Sequence, residues 1–124
     1  NYIGELNANS DELVFNSMHT SKWEEKFEVS SIFNLTKRKQ FFQDIKDIDT
    51  FDLVYFDAFG FALQPELWSE EIFQTMYKAM KNNSILVTYA CRTPIRKAML
   101  TAGFKVEKLP GAPGKREMLR ATKN

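Results

Sequence analysis

The chain is poor in the residues that staple, ligate or cradle. It has one Cys and one His among 124 residues. A single Cys forbids an internal disulfide, and an intracellular, cytoplasmic protein is the default expectation. The same scarcity argues strongly against a His/Cys metal cluster, carboxylate metal sites have no spacing to recommend them, and no metal is expected. Five Gly are present, Gly4, Gly60, Gly103, Gly111 and Gly114, and they form no GxGxG cluster. No apolar run approaches the roughly 20 residues of a membrane span, and no basic-plus-apolar leader opens the chain. No membrane association is expected. Internal repeats and low-complexity stretches are also missing.

Apolar residues are plentiful. The composition is 44% hydrophobic and 14% aromatic, enough for one core and too short a chain for two, so residues 1–124 read as a single domain. The net charge of +1 conceals an asymmetry. From Arg92 onward there are nine Lys and Arg against two Glu, whereas the first 91 residues hold eight against fourteen acids. A basic tail on an acidic front suggests an anionic partner for the C-terminal third, or a merely solvated basic face.

Along the chain, Val14, Met18, Trp23 and Phe27 fit helical turns between Glu12 and Phe27. Phe33 to Phe42 mixes β-formers with Lys37, Arg38 and Lys39 and reads as a strand near a sheet edge. Leu53 to Phe56 is a short apolar run expected to be a strand buried on both faces. Ser69 is an N-cap for a helix whose first turn carries Glu70 and Glu71 and whose last carries Lys78 and Lys81. Ile72, Phe73, Met76, Tyr77 and Met80 give that helix one apolar face, and Asn82-Asn83 supplies its stop. Ser84 to Ala90 is a second buried strand. Thr93 caps a helix opened by Pro94 and closed by Gly103. Lys105 to Lys108 alternates as a half-exposed strand does, and after the Pro110–Gly114 loop Arg116 to Thr122 returns as a hairpin arm. Strands alternating with helices predict an α/β fold with a parallel sheet and an antiparallel edge.

Asp57 falls where the buried strand stops. A carboxylate there lies in the crevice where open α/β sheets bind ligands, or else it caps the following turn. The strand end Asp57-Ala58-Phe59, followed by Pro65-Glu-Leu-Trp-Ser-Glu-Glu-Ile-Phe73, resembles the MnmC-like family of S-adenosylmethionine-dependent methyltransferases. The closing stretch from Gly103-Phe104 through Lys115-Arg-Glu-Met-Leu119 is similar to that family's C-terminal hairpin. The likeness runs from about Trp23 to the end.

This resemblance implies a Rossmann-like class I methyltransferase sheet, mostly parallel with a C-terminal antiparallel hairpin. It implies S-adenosyl-L-methionine as cofactor and the aminomethyl group of a modified tRNA wobble uridine as substrate. The family's glycine-rich first strand-turn-helix is not found. Asn1-Tyr2-Ile3-Gly4-Glu5-Leu6 matches either the remains of the second strand, with Glu5 as the ribose acid, or the segment after it. The chain therefore reads as the C-terminal part of a methyltransferase domain, expected to be inactive alone. The alternative is a non-catalytic binding module that kept the substrate half of the fold. In this fold the first strand lies beside the one ending in Asp57. Without it an apolar edge is left to be covered by a second copy, by another chain, by the Phe33–Phe42 strand moving inward or by residues of the protein beyond these 124.

Asp57 is the candidate catalytic residue, able to hold an amine and accept its proton. The resemblance places Gln40, Phe41, Asp57, Ala58 and Phe59 at the cofactor, although many relatives of the fold carry a Gly-Asp pair where Gln40-Phe41 stands. Pro65 and Trp68 are candidate substrate contacts, and Trp68 and Phe59 either stack on a flipped base or pack their loop onto the sheet. Lys115 and Arg116 are candidate phosphate contacts to tRNA. His19 and Cys91 need no function.

Overall fold

Alternation of polar and apolar residues, rather than helical spacing, organises the first part of the chain from Lys26 onward. The computed structural model describes residues 9–114 and 117–124, in two compact units divided after Gln40. Each is taken by itself.

In the first unit, helix α1 spans Asn9–Thr20, strand β1 Lys26–Ser30 and strand β2 Phe33–Thr36. Helical turns were expected up to Phe27, but the helix stops at Thr20. Ser17, Thr20 and Ser21 turn their hydroxyls back onto the carbonyls of Val14, Asn16 and Met18. Such local bonds compete with continued helix. Beyond them Phe27 and Val29 alternate with Lys26, Glu28 and Ser30, a two-residue period that suits a strand. The β1 and β2 strands pair antiparallel, with Phe27 opposite Leu35. The expected edge strand at Phe33–Phe42 is therefore only four residues long and belongs to a two-stranded sheet with β1.

The second unit carries a four-stranded sheet among the described residues. Its elements are β3 (Phe51–Tyr55), α2 (Glu70–Ala79), β4 (Met80–Thr88), α3 (Thr93–Ala102), β5 (Lys105–Leu109) and β6 (Met118–Thr122), in the spatial order β3-β4-β6-β5. The β3 and β4 strands run parallel, whereas β4–β6 and β5–β6 are antiparallel. The sheet described is thus mixed rather than mostly parallel. The antiparallel hairpin at its C-terminal end is as expected.

Local signals behave as their chemistry requires. Ser69 Oγ accepts the Ile72 N–H at 3.4 Å, and Glu70 and Glu71 sit in the first turn of α2. Gly103 closes α3 at φ 114°, and a Cβ there would lie 3.3 Å from the Tyr77 ring, so both backbone and packing call for glycine. Two boundaries move. The α2 helix ends at Ala79 and β4 begins at Met80, so Lys81 leaves the helix, and Asn83, at φ 66°, sits inside the strand range instead of ending the helix. The N-cap of α3 is Arg92 rather than Thr93, with no side-chain cap.

The core lies on one face of the sheet. Leu86 of β4, Leu119 and Ala121 of β6 and Val106 of β5 meet Phe73 and Met76 of α2 and Ile95 and Met99 of α3. Alternate residues of β3 share in it only partly. Phe56 just beyond the strand is buried, but Leu53 is 47% and Tyr55 78% exposed. The expectation of burial on both faces fails because Leu53 and Tyr55 point away from the helix-covered side, and among the described residues their face of the sheet stays open. Beside it runs an apolar cavity of about 290 Å³ lined by Ile45, Phe51, Leu53 and Met76 among others.

Candidate functional site

The parallel β3–β4 pair aims two chain ends at the same edge of the sheet. Tyr55 stands opposite Val87, and the ladder continues with Phe56 N–H donating to Val87 O at 2.9 Å. The strands then release two loops, 57–64 after β3 and 89–92 after β4. A cavity of about 520 Å³ opens between Tyr55–Asp57, Val87–Tyr89 and Met118. Asp57 is exposed, and among the described residues its carboxylate has neither an ion-pair nor a hydrogen-bond partner. A carboxylate that caps nothing and faces a cavity at the carboxyl ends of parallel strands is free for a ligand.

The loop after Asp57 is tied down rather than loose. Trp68 closes the 3₁₀ turn Pro65–Trp68, is 4% exposed and packs edge-on against Phe56 with centroids 5.0 Å apart. Its indole N–H donates to Phe59 O at 2.7 Å. Of the two roles open to Trp68, packing the loop is the one this geometry fills. That bond fixes the Phe59 backbone while the Phe59 ring remains 71% exposed. Phe61 is half-buried under the Arg92 guanidinium, 5.6 Å from ring centroid to charge, which links the two loops. Ala58 packs against the core, and Pro65 is exposed at the start of its turn.

The remaining candidates are scattered. Gln40 is exposed at the end of the first unit. Phe41 is 71% exposed at the start of the second, in extended backbone before the 3₁₀ turn Phe42–Asp44. Lys115 and Arg116 lie outside the described residues. Cys91 donates its thiol to Glu117 O at 3.1 Å. Burial first, then the Glu117 carboxylate, pushes that thiol above its ordinary range, with Lys108 pulling partly back. This is a neutral thiol rather than a nucleophile.

Two residues were missed. Tyr89 is 57% exposed just after β4 and, by the register that sets Tyr55 opposite Val87, stands level with Asp57. Reading Ser84 to Ala90 as one buried strand placed it inside that strand. Lys123 is nearly buried at the other end of the sheet, where Nζ donates to Met80 O at 2.7 Å and Asp49 Oδ1 at 3.1 Å and lies 4.8 Å over the Tyr77 ring. No local pattern announces a partner 74 residues away.

A family model described as S-adenosyl-L-methionine-dependent methyltransferase matches residues 15–124, and the chain belongs to that family. It is similar to the tRNA 5-methylaminomethyl-2-thiouridine biosynthesis bifunctional protein MnmC of Azoarcus sp. (strain BH72), 39% identical over 69 residues, covering 56% of this chain and 11% of that protein. The protein of the same name from Campylobacter hominis is 36% identical over 70 residues, covering 56% and 10%. Among solved structures, MnmC2 from Aquifex aeolicus superposes with a TM-score of 0.58 at 25% identity, over 67% of this chain and 26% of that one. The chain therefore spans about a tenth of the curated relatives' length and about a quarter of the Aquifex chain.

The family's cofactor is S-adenosyl-L-methionine. The described residues do not make a full site for it. Among the described residues the cavity beside Asp57 is lined by no Lys or Arg to meet the cofactor's amino-acid carboxylate. Gly60 is the one described glycine in the 57–64 loop, and no glycine cradle of the family's kind is formed there. Asp57, Ala58 and Phe59 can offer at most one wall.

Proposed function

We propose that the complete protein methylates the amine of an aminomethyl-uridine at the tRNA wobble position, in the cytoplasm, with Asp57 holding that amine. The observation that carries this reading is the unpartnered Asp57 carboxylate facing a cavity of about 520 Å³ where the parallel strands end. The names of the relatives, which concern tRNA 5-methylaminomethyl-2-thiouridine biosynthesis, support the substrate class. A carboxylate in hydrogen-bond reach accepts from the amine, orients its lone pair and takes the proton the nitrogen loses. Phe59, its backbone pinned by Trp68, keeps an exposed ring two residues beyond Asp57 that is open to the tRNA. Lys115 and Arg116 bind tRNA phosphates, which fits the basic C-terminal third. No part of the methyl donation itself is assigned to the described residues. The β3 edge, open among the described residues, is covered in the working protein by another segment or by a second copy.

The test is nucleoside mass spectrometry of tRNA that carries the aminomethyl group, incubated with the complete protein and labelled cofactor. Appearance of the N-methyl nucleoside is expected. Unmethylated tRNA, with the protein folded and tRNA bound, would favour a binding module instead.

A further inference from the structure

The cavity beside Asp57 has a chemistry of its own. In the β3–β4 ladder Tyr55 lies opposite Val87, so the residues two further on, Asp57 and Tyr89, come to the same side of the sheet. All four line one space. The Tyr55 and Tyr89 rings are 78% and 57% exposed, and among the described residues neither phenol has a hydrogen-bond partner or a ring neighbour. Exposed, unpartnered aromatic rings beside a lone carboxylate suit a flat ring that carries a cationic substituent.

We infer that this cavity seats the substrate's base and not the cofactor, with Tyr89 as the stacking face that sets specificity. The inference rests on the function proposed above and adds a residue to it. Three features decide between the two occupants. Among the described residues Asp57 is the one charged group in the lining, which attracts an amine and disfavours the cofactor's carboxylate beside it. Val87 and Met118 add apolar surface suited to a ring. The volume of about 520 Å³ lies within the range of small-molecule sites and exceeds what an amine alone requires. Tyr89 reaches the base from β4 while Asp57 reaches its substituent from the end of β3. One strand therefore reads the ring and the other the amine.

The experiment uses the complete protein and 5-aminomethyluridine as the probe, with calorimetry on the wild type, Tyr89→Phe and Tyr89→Ala. The wild type is expected to bind the probe more tightly than it binds plain uridine. The Phe variant, which keeps a ring face, should match the wild type, and the Ala variant should bind about tenfold more weakly or worse. Cofactor affinity should be the same in all three. In methylation assays Tyr89→Ala should raise KM for tRNA with a smaller change in kcat. Equal probe binding by the wild type and Tyr89→Ala overturns the inference. So does a loss of cofactor affinity in Tyr89→Ala, which would give the cavity to the cofactor, or no probe binding by the wild type. Failure of the wild type to methylate tRNA would instead overturn the proposed function, while probe binding would still decide who occupies the cavity.

Discussion

The two faces of the four-stranded sheet obey different rules. On the helix-covered face Phe73, Leu86, Ile95, Met99 and Leu119 are fully buried, and every strand contributes to the layer. On the opposite face Leu53, Tyr55 and Tyr89 are widely exposed, and Arg120 pairs with Glu107 at 2.9 Å in a half-exposed salt bridge. The packed face behaves as a finished core. The open face combines the cavity beside Asp57 with apolar surface that a protein seldom leaves bare. The two sides are thus separated across one sheet: one is packed, and the other leaves Asp57 and Tyr89 exposed at the strand ends.

That separation can be broken by mutation. Phe73→Ala should have the largest effect, because its ring is fully buried and touches both Phe56 and Trp68. A loss of about 3–5 kcal/mol is expected, read by denaturant melting. Lys123→Met should cost less, about 1–3 kcal/mol, since it removes the hydrogen bonds to Met80 and Asp49 but keeps most of the apolar stem. The Asp49 left behind is largely exposed and does not become a buried unpaired charge. Leu53→Thr should change the stability of this chain by no more than about 0.5 kcal/mol, because the site is open and the β-branched residue suits a strand. The same change in the complete protein should cost more if Leu53 is covered there. An equal, negligible cost in both settings would mean that the β3 edge is truly a surface.

Much of the second unit was legible because its signals are local. Ser69 with two acids behind it, the apolar stripe of α2 and the left-handed Gly103 each specify their structure within one turn of chain. Asp57-Ala58-Phe59 and the stretch from Pro65 to Phe73 carried the family as well, and the family match to residues 15–124 agrees. What escaped depended on distant partners. Leu53 to Phe56 has the composition of a strand buried on both faces, yet burial depends on what packs above and below it, and among the described residues only the side of Val54 and Phe56 is covered. Trp68 looked equally suited to a base or a core until Phe56, Phe73 and the Phe59 carbonyl were seen around it. The strand sought in Phe33–Phe42 is cut short where Thr36 ends its pairing with Lys26.

Asp57→Asn in the complete protein tests the account at its centre. The amide preserves the shape of the side chain and, being exposed, leaves the packed face untouched. The measurement is single-turnover methylation of aminomethyl-bearing tRNA, with tRNA and cofactor affinities and the thermal melt recorded beside it. Loss of the proton acceptor should slow methyl transfer about 100-fold or more while the melt stays near that of the wild type. Turnover near the wild-type rate, with the same cooperative melt, would contradict the account and leave Asp57 as an ordinary residue at the end of a strand.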